Sequence, residues 1–368
     1  MSLPRFPIFL STAPGLEPVL LEEAKSLGWT AAKETPGGVE ISGSWPDIWR
    51  ANLLLRTANR VLVRLGTFRA QQLNILHGKA AELPWTEFLK PEQPFTVEAT
   101  SRKSKIYHTG AAEERVAKAA ATVSGADPAE EGLKVFVRIE SNLVTVSIDS
   151  SGALLHQRGF KADVAGAPIR ETLVAAFLRQ CGYTGEEPVV DPFCGSGTIL
   201  LEAADMAAGL APGRARTFAF EDFASFNPQA FDRARTKALG KPKDTAVRFH
   251  GSDRAIGAVE ASRANSKRAG LDELCTFTQV TISELTAPEG PTGLVLTNPP
   301  YGSRLGDKSD LKGLYKAFGA TMRERFAGWR IGLVTADEAL AKATGLKLAP
   351  GPVIPHGGLK IRLWQGEA

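Results

Sequence analysis

Residues 189–207 read VVDPFCGSGTILLEAADMA: a short apolar strand, an acid, a glycine-rich turn and a helix-forming run. No other stretch restricts the fold as strongly. A strand that turns through glycines into a helix needs a sheet to pair with and a sheet face to cover. The pattern continues to the end of the chain. AVRFHGSD (246–253) is a strand and RAIGAVEASRANSKRAG a helix; CTFTQVTISEL (275–285) and GLVLTNPPYG (293–302) are strands. LKGLYKAFGATMRERF (311–326) is a helix, and WRIGLVTAD (329–337) and LKIRLWQG (359–366) are strands. Apolar strands alternating with helices imply an α/β sheet covered on both faces.

The turn also restricts the ligand. In open α/β sheets ligands bind at the carboxyl ends of the strands. That puts Asp191, Pro192, Phe193, Cys194, Gly195, Gly197 and Thr198 at the binding rim, as candidate cofactor residues. No Lys follows the glycines, so the triphosphate loop pattern fails, and Leu200 stands where the dinucleotide pattern needs its third glycine. A pyrophosphate seeks N–H donors and avoids a carboxylate. Asp191 favours a cationic or hydrogen-donating group instead. S-adenosyl-L-methionine offers an ammonium and a sulfonium and carries no phosphate. Asp253, at the next strand end, suits the two ribose hydroxyls; the plain alternative is a helix cap. Cys194 reads as a packing residue, since no histidine lies near it in sequence.

LVLTNPPYG (294–302) follows a strand of the same sheet. Pro299 and Pro300 fix two φ angles and have no N–H, and Pro299 keeps Asn298 out of the helical region. The result is a fixed amide oxygen and a fixed run of carbonyls, all acceptors. Tyr301 offers a ring on which a base can stack. Acceptors beside a ring suit the exocyclic amine of a nucleobase, whose lone pair is delocalised and must be freed for attack. Asn298, Pro299, Pro300 and Tyr301 are therefore the catalytic candidates, acting by positioning and electrostatics. Base methylation at carbon calls for a cysteine nucleophile, and none of Cys181, Cys194 and Cys275 lies in this loop.

Ahead of this region the chain changes character. FPIFLST (6–12), GGVEISG (37–43) and RVLVRLGTF (60–68) read as strands; residues 16–28 and 44–57 read as helices, the second opened by Ser44. PFTVEAT (94–100) is a strand, SRKSKIYHTG (101–110) a basic loop, and AAEERVAKAAATVSG a helix. Residues 133–152 read as two strands about a turn at Glu140, Ser141 and Asn142. A polar connector leads to a helix expected near Pro168. The aromatic run FAFEDFASFNPQAF (218–231) reads as core packing, with the shaping of a pocket the alternative.

Composition excludes several classes. With 368 residues, 43% of them hydrophobic, the chain can bury more than one core. Three dispersed cysteines and five histidines have no zinc or disulfide spacing, so no metal is expected. No apolar run is long enough for a membrane span, and prolines break the start of the chain against a signal peptide. The net charge of +4 does not by itself announce nucleic acid. Arg102, Lys103 and Lys105 could meet phosphates, as could Arg158 and Lys161; solvated surface is the alternative for both groups.

DPFCGSGT together with NPPYG resembles the class I S-adenosylmethionine-dependent methyltransferases of amino groups. HQRGFKADVAGAPIRETLVAA (156–176) is similar to the segment before the catalytic core in one subgroup, the THUMP-containing RNA guanine-N2 methyltransferases. The resemblance spans nearly the whole chain. It implies a ferredoxin-like part (1–65), a THUMP RNA-binding domain (66–155), a connector (156–166) and a Rossmann-like methyltransferase domain (167–368). It implies S-adenosyl-L-methionine as cofactor and structured RNA as partner, rRNA before tRNA, with adenine N6 and a non-catalytic RNA binder as rivals. The cysteine content points to a reducing cytoplasm, and a monomer with no obligate protein partner is expected. Two positions depart from the family. Ala255 stands where a second acid is common. Thr281 stands where many members carry an Asp for the adenine amine; with Ile282 beside it, a hydroxyl or backbone carbonyl is the expected substitute.

Overall fold

The structure is a computed structural model that describes residues 5–162, 169–301 and 308–368. Pro168 and Gly302, where a helix start and a loop exit were expected, lie outside the described residues. In chain order the first elements are β1 (Phe6–Ser11), α1 (Glu17–Ser26), β2 (Lys33–Thr35), β3 (Gly38–Gly43), α2 (Trp45–Leu54), β4 (Arg60–Arg69) and α3 (Leu73–Ala81). β5 (Pro94–Arg102), α4 (Thr109–Ser124), β6 (Asp127–Pro128), β7 (Leu133–Glu140) and β8 (Leu143–Asp149) follow. Then come α5 (Glu171–Gln180), β9 (Val189–Asp191), α6 (Thr198–Ala207), α7 (Pro228–Leu239), β10 (Phe249–Asp253), α8 (Ile256–Ala269), β11 (Cys275–Gln279) and β12 (Leu294–Thr297). The last are α9 (Lys308–Arg325), β13 (Arg330–Thr335), α10 (Glu338–Ala343), β14 (Ala349–Pro350), β15 (Ile354–His356) and β16 (Leu359–Glu367).

These elements form two compact units. The first gathers the residues up to Thr12, Leu21–Leu155 and Arg216–Leu239; the second gathers Ala13–Leu20, His156–Ala215 and Gly240–Ala368. In the first unit one sheet runs β2-β3-β1-β4-β8-β7-β5-β6. The sequence suggests two small modules, yet β4 pairs with β8 and makes their strands continuous. Alternation explains which face is buried: Ile8 and Leu10, Val61 and Val63, and Val135, Val137 and Ile139 all point into the core. The β7–β8 turn is Ser141-Asn142, with φ of +50° and +64°, the pair of left-handed residues that a two-residue hairpin needs. Ser44 opens α2 as expected: the Asp47 carboxylate accepts from the Ser44 N–H at 2.8 Å. α3 was not anticipated, since Gln72 at its N-cap makes no side-chain capping bond and the helix contains Gly78. The aromatic run is core packing, and its partners lie in this unit. Phe220 meets Phe231 edge-on at 5.0 Å, Phe231 meets Trp49 at 5.7 Å, and Phe223 meets Phe88 at 5.3 Å.

In the second unit the sheet runs β11-β10-β9-β12-β13-β16-β14, with β15 paired to β16. The five strands from β11 to β13 are parallel, and β16 joins antiparallel. Successive residues serve opposite faces. Val189, Leu294 and Leu296 pack with Val174, Phe177, Leu200 and Val259 on one side. Val190 and Val295 pack with Tyr315, Phe318 and Met322 of α9 on the other. Strands buried on both faces leave only their ends for polar work.

Candidate active site

The strand order reverses between β9 and β12: β10 and β11 extend one way and β13 the other. The two loops singled out in the sequence leave these adjacent strands, at their carboxyl ends. This is the switch point at which open α/β sheets bind ligands.

The glycine turn is built by its backbone. Gly195 has φ +53° and Gly197 φ +82°, conformations that L side chains adopt at a cost. They differ in surroundings. A Cβ on Gly197 would meet Ser262 Oγ at 3.1 Å, whereas a Cβ on Gly195 would meet nothing within 4 Å. Gly197 is the close-packed side of the turn and Gly195 the open side. α8 holds the turn from behind: Ser262 Oγ donates to the Gly195 carbonyl at 2.9 Å, and Asn265 Nδ2 donates to the Ser196 carbonyl at 3.0 Å. Cys194 N–H donates to the Ser252 carbonyl of β10 at 3.0 Å. Thr198, the first residue of α6, accepts from Lys161 Nζ at 2.6 Å.

Asp191 is 1% exposed. Its Oδ1 accepts from Thr297 Oγ1 at 2.7 Å and from the Phe193 N–H at 3.1 Å. Burial pushes its carboxyl up to about 7, against these two donors, and the nearby Asp253 charge adds to the rise. The acid is thus less a free rim group than a buried tie between the two loops. Asp253 is half-buried. One of its oxygens accepts from the Gly195 N–H at 3.2 Å and the other from Ala255 N–H at 2.9 Å. The helix-entry role and contact with the glycine turn therefore coexist in one carboxylate.

In the second loop the Asn298 side-chain oxygen is buried and has no hydrogen-bond partner among the described residues. Pro299 is buried and Pro300 half-buried. Tyr301 is partly buried and packs against both core clusters, so its ring is held rather than free. Burial raises its phenol, which keeps it neutral at physiological pH. Pro192 is buried, and Phe193 lies 6.3 Å from Phe318, ring to ring. Cys194 is buried, and burial with two nearby acids raises its thiol far from the thiolate form.

One expectation needs correction. Arg158 and Lys161 are neither cations free to meet phosphates nor solvated surface. Arg158 is 4% exposed and pairs with Glu202 at 3.2 Å, and Lys161 pairs with Glu171 at 3.4 Å. Burial lowers the Lys161 pKa and raises that of Glu171, each offset in part by the other's charge. The residues offered in place of the missing adenine acid make bonds of their own, and Thr281 Oγ1, a donor there, keeps lone pairs with which to accept. Thr281 Oγ1 donates to Glu284 at 2.8 Å, and its carbonyl accepts from the Glu284 N–H at 3.0 Å. Ile282 is buried in the core, with its carbonyl taken by Thr321 Oγ1 at 2.9 Å. Among the described residues, no group of three or more His, Cys, Asp or Glu could hold a metal ion.

Comparison with known proteins fits this geometry. Three family models match in succession: an RlmL ferredoxin-like domain at 7–62, a THUMP domain at 70–149, and an RMKL-like methyltransferase domain at 158–349. The chain belongs to the RMKL-like methyltransferase family. The chain is 33% identical to "Putative RNA methyltransferase YpsC" of Bacillus subtilis, over 97% of this chain and 94% of that protein. It is 32% identical to "Ribosomal RNA large subunit methyltransferase K/L" of Syntrophotalea carbinolica over 96% of this chain, but spans only 53% of that protein. The chain thus covers about half the length of the K/L relatives it matches. A crystal structure of SMU.472 "complexed with SAH" superposes with a TM-score of 0.89 at 27% identity, covering 100% of this chain and 99% of that one.

Sequence reasoning missed Thr297, Ser262 and Asn265. Thr297 stood inside the quoted motif, but nothing marks a strand-end hydroxyl as a tie to a carboxylate three strands earlier in sequence. Ser262 and Asn265 are a buried polar pair at helical spacing in SRAN, a signal open to notice.

Proposed function

We propose that this chain transfers a methyl group from S-adenosyl-L-methionine to the exocyclic N2 amine of a guanosine in structured RNA, with large-subunit rRNA the first-choice substrate. One observation carries the reading: the oxygen of Asn298 at the switch point, buried and without a hydrogen-bond partner among the described residues. A buried acceptor without a donor costs about 1–3 kcal/mol. That cost is offset when a ligand brings an N–H to it, and an exocyclic amine has two.

The residues present fit the cofactor. Gly195 leaves open space beside the turn, and the Asp253 carboxylate stands next to it, half-exposed, with lone pairs left for ribose hydroxyls. Asp191, Pro192, Phe193, Cys194, Gly195, Gly197 and Thr198 form the cradle, with Thr281 and Ile282 at the neighbouring strand end. When bound, the cofactor supplies the methyl on its sulfonium. Asn298 and the carbonyls beside Pro299 and Pro300 accept from the amine, turn its lone pair out of the ring plane and aim it at that methyl. Tyr301 supports the base. The cofactor would give up its methyl and leave as the thioether, and the amine would lose a proton to its acceptors or to water. Catalysis is by positioning and preorganised acceptors.

The THUMP match supports RNA over DNA, and the names of the K/L relatives support rRNA over tRNA. We further propose a monomer acting in the cytoplasm without an obligate protein partner; among the described residues no helix is long and apolar enough to cross a membrane. The test is incubation with methyl-labelled S-adenosyl-L-methionine and separate pools of unmodified large-subunit rRNA and tRNA. Label in rRNA supports the reading. Label in tRNA alone moves the substrate, and cofactor binding without label in either RNA leaves a binding protein.

A further inference from the structure

The most exposed large hydrophobic side chain among the described residues is Tyr107, at 71%. It lies in the first unit, between β5 and α4, and the active-site chemistry makes no use of it. Its ring packs against His108, with centroids 4.4 Å apart and planes 38° apart. The loop beneath is fastened at several points. Ile106 is buried, and Ser101 Oγ donates to its carbonyl at 2.5 Å. Lys105 N–H donates to Asn142 Oδ1 at 2.8 Å, and Asn142 N–H returns a bond to Ser104 Oγ at 3.0 Å. Ser141 N–H donates to the Arg102 carbonyl at 3.1 Å. The hairpin turn thus serves as a brace. A ring on a braced loop loses little further freedom when something docks on it.

The charge around the ring has one sign. Arg102, Lys103 and Lys105 are exposed, and their side chains make no ion pair among the described residues. No acid lies between Glu98 and Glu113. Glu140, opposite Arg102 in the β5–β7 register, is engaged by Arg138 at 2.6 Å. Two exposed rings beside three unpaired cations match an unpaired nucleotide: the ring takes the base face and the cations take the phosphates. A base inside an A-form duplex hides its face.

We propose that the 102–108 loop is a docking surface for an unpaired nucleotide of RNA, with Tyr107 stacking the base and Arg102, Lys103 and Lys105 meeting its phosphates; this rests on the reading that the chain acts on RNA. The test is anisotropy titration with a fluorescein-labelled RNA duplex, blunt or with a short unpaired tail. The wild-type protein is expected to prefer the tailed RNA. Tyr107→Ala should weaken tailed-RNA binding by about 5- to 150-fold, the range of one base stack, and erase the preference. Tyr107→Phe should keep it. Joint replacement of Arg102, Lys103 and Lys105 by Ser should weaken both RNAs and flatten the salt dependence. S-adenosylhomocysteine binding, measured in parallel, should be the same in all variants. A tailed-RNA preference that survives Tyr107→Ala overturns the stacking surface and leaves the RNA reading standing. Wild-type protein that binds neither RNA overturns both. Binding of a polyglutamate peptide as tight as that of RNA overturns the choice of nucleotide as occupant.

Discussion

Thr297 Oγ1 donates to Asp191 Oδ1 across 2.7 Å, joining the end of β12 to the end of β9. This single bond couples the glycine turn to the Asn-Pro-Pro loop. It explains why an acid opens DPFCGSGT and a hydroxyl precedes NPPY: each residue fixes the origin of the other's loop.

Thr297→Val should therefore destabilise in a pH-dependent way. Asp191 has its folded-state pKa raised to about 7, so its contribution to stability is fullest below the unfolded value and is lost as pH rises through about 7. Removing the Thr297 donor penalises the ionised form further. The expected cost is about 1 kcal/mol at pH 5 and about 1.5–3 kcal/mol at pH 8, the difference between a neutral and a charge-assisted hydrogen bond. Thermal unfolding of both proteins across that range checks the sign. An equal loss at both ends would mean that Asp191 does not titrate there.

Gly195→Ala and Gly197→Ala should fail differently. Both residues are left-handed, so each substitution strains the backbone, by about 1 kcal/mol. At Gly195 the new methyl enters open space beside the turn, and S-adenosylhomocysteine affinity should fall about tenfold or more with a modest change in Tm. At Gly197 the methyl presses on Ser262, and the main loss should be in Tm. Calorimetric titration together with a melting curve separates the two.

Arg158 and Glu202 form a pair whose side chains are 4% and 3% exposed. Removing one partner leaves a buried charge. Glu202→Ala should cost about 3–5 kcal/mol by denaturant titration. The double change Arg158→Met with Glu202→Leu should cost much less, since an apolar pair of similar volume is often neutral there.

Asn298→Ala should separate stability from activity. The oxygen it removes is buried and has no partner among the described residues, so Tm should not fall. Methyl transfer should drop by about 100-fold or more, as for the loss of one preorganised catalytic hydrogen bond. Transfer within a factor of about two of wild type, with the fold intact, would remove Asn298 from the reaction.

Much of this was legible in the sequence because local patterning and fold agreed. Apolar runs such as LVLT and VVD could only be strands buried on both faces, and the two glycines of CGSG met the left-handed positions they are suited for. The buried charges were not legible. Arg158 and Lys161 look like surface cations in HQRGFK; only the chain's return over α5 and α6 brings Glu171 and Glu202 to them. The continuity of the first sheet was hidden for the same reason. The β4–β8 pairing joins residues about eighty positions apart, and no local signal records it.

The identity of the product nucleoside tests the central claim most directly. Large-subunit rRNA treated with the protein and labelled S-adenosyl-L-methionine should be digested to nucleosides and resolved by mass spectrometry. Label in N2-methylguanosine is the expected result. Label in N6-methyladenosine, or in no nucleoside while the cofactor still binds, would contradict it.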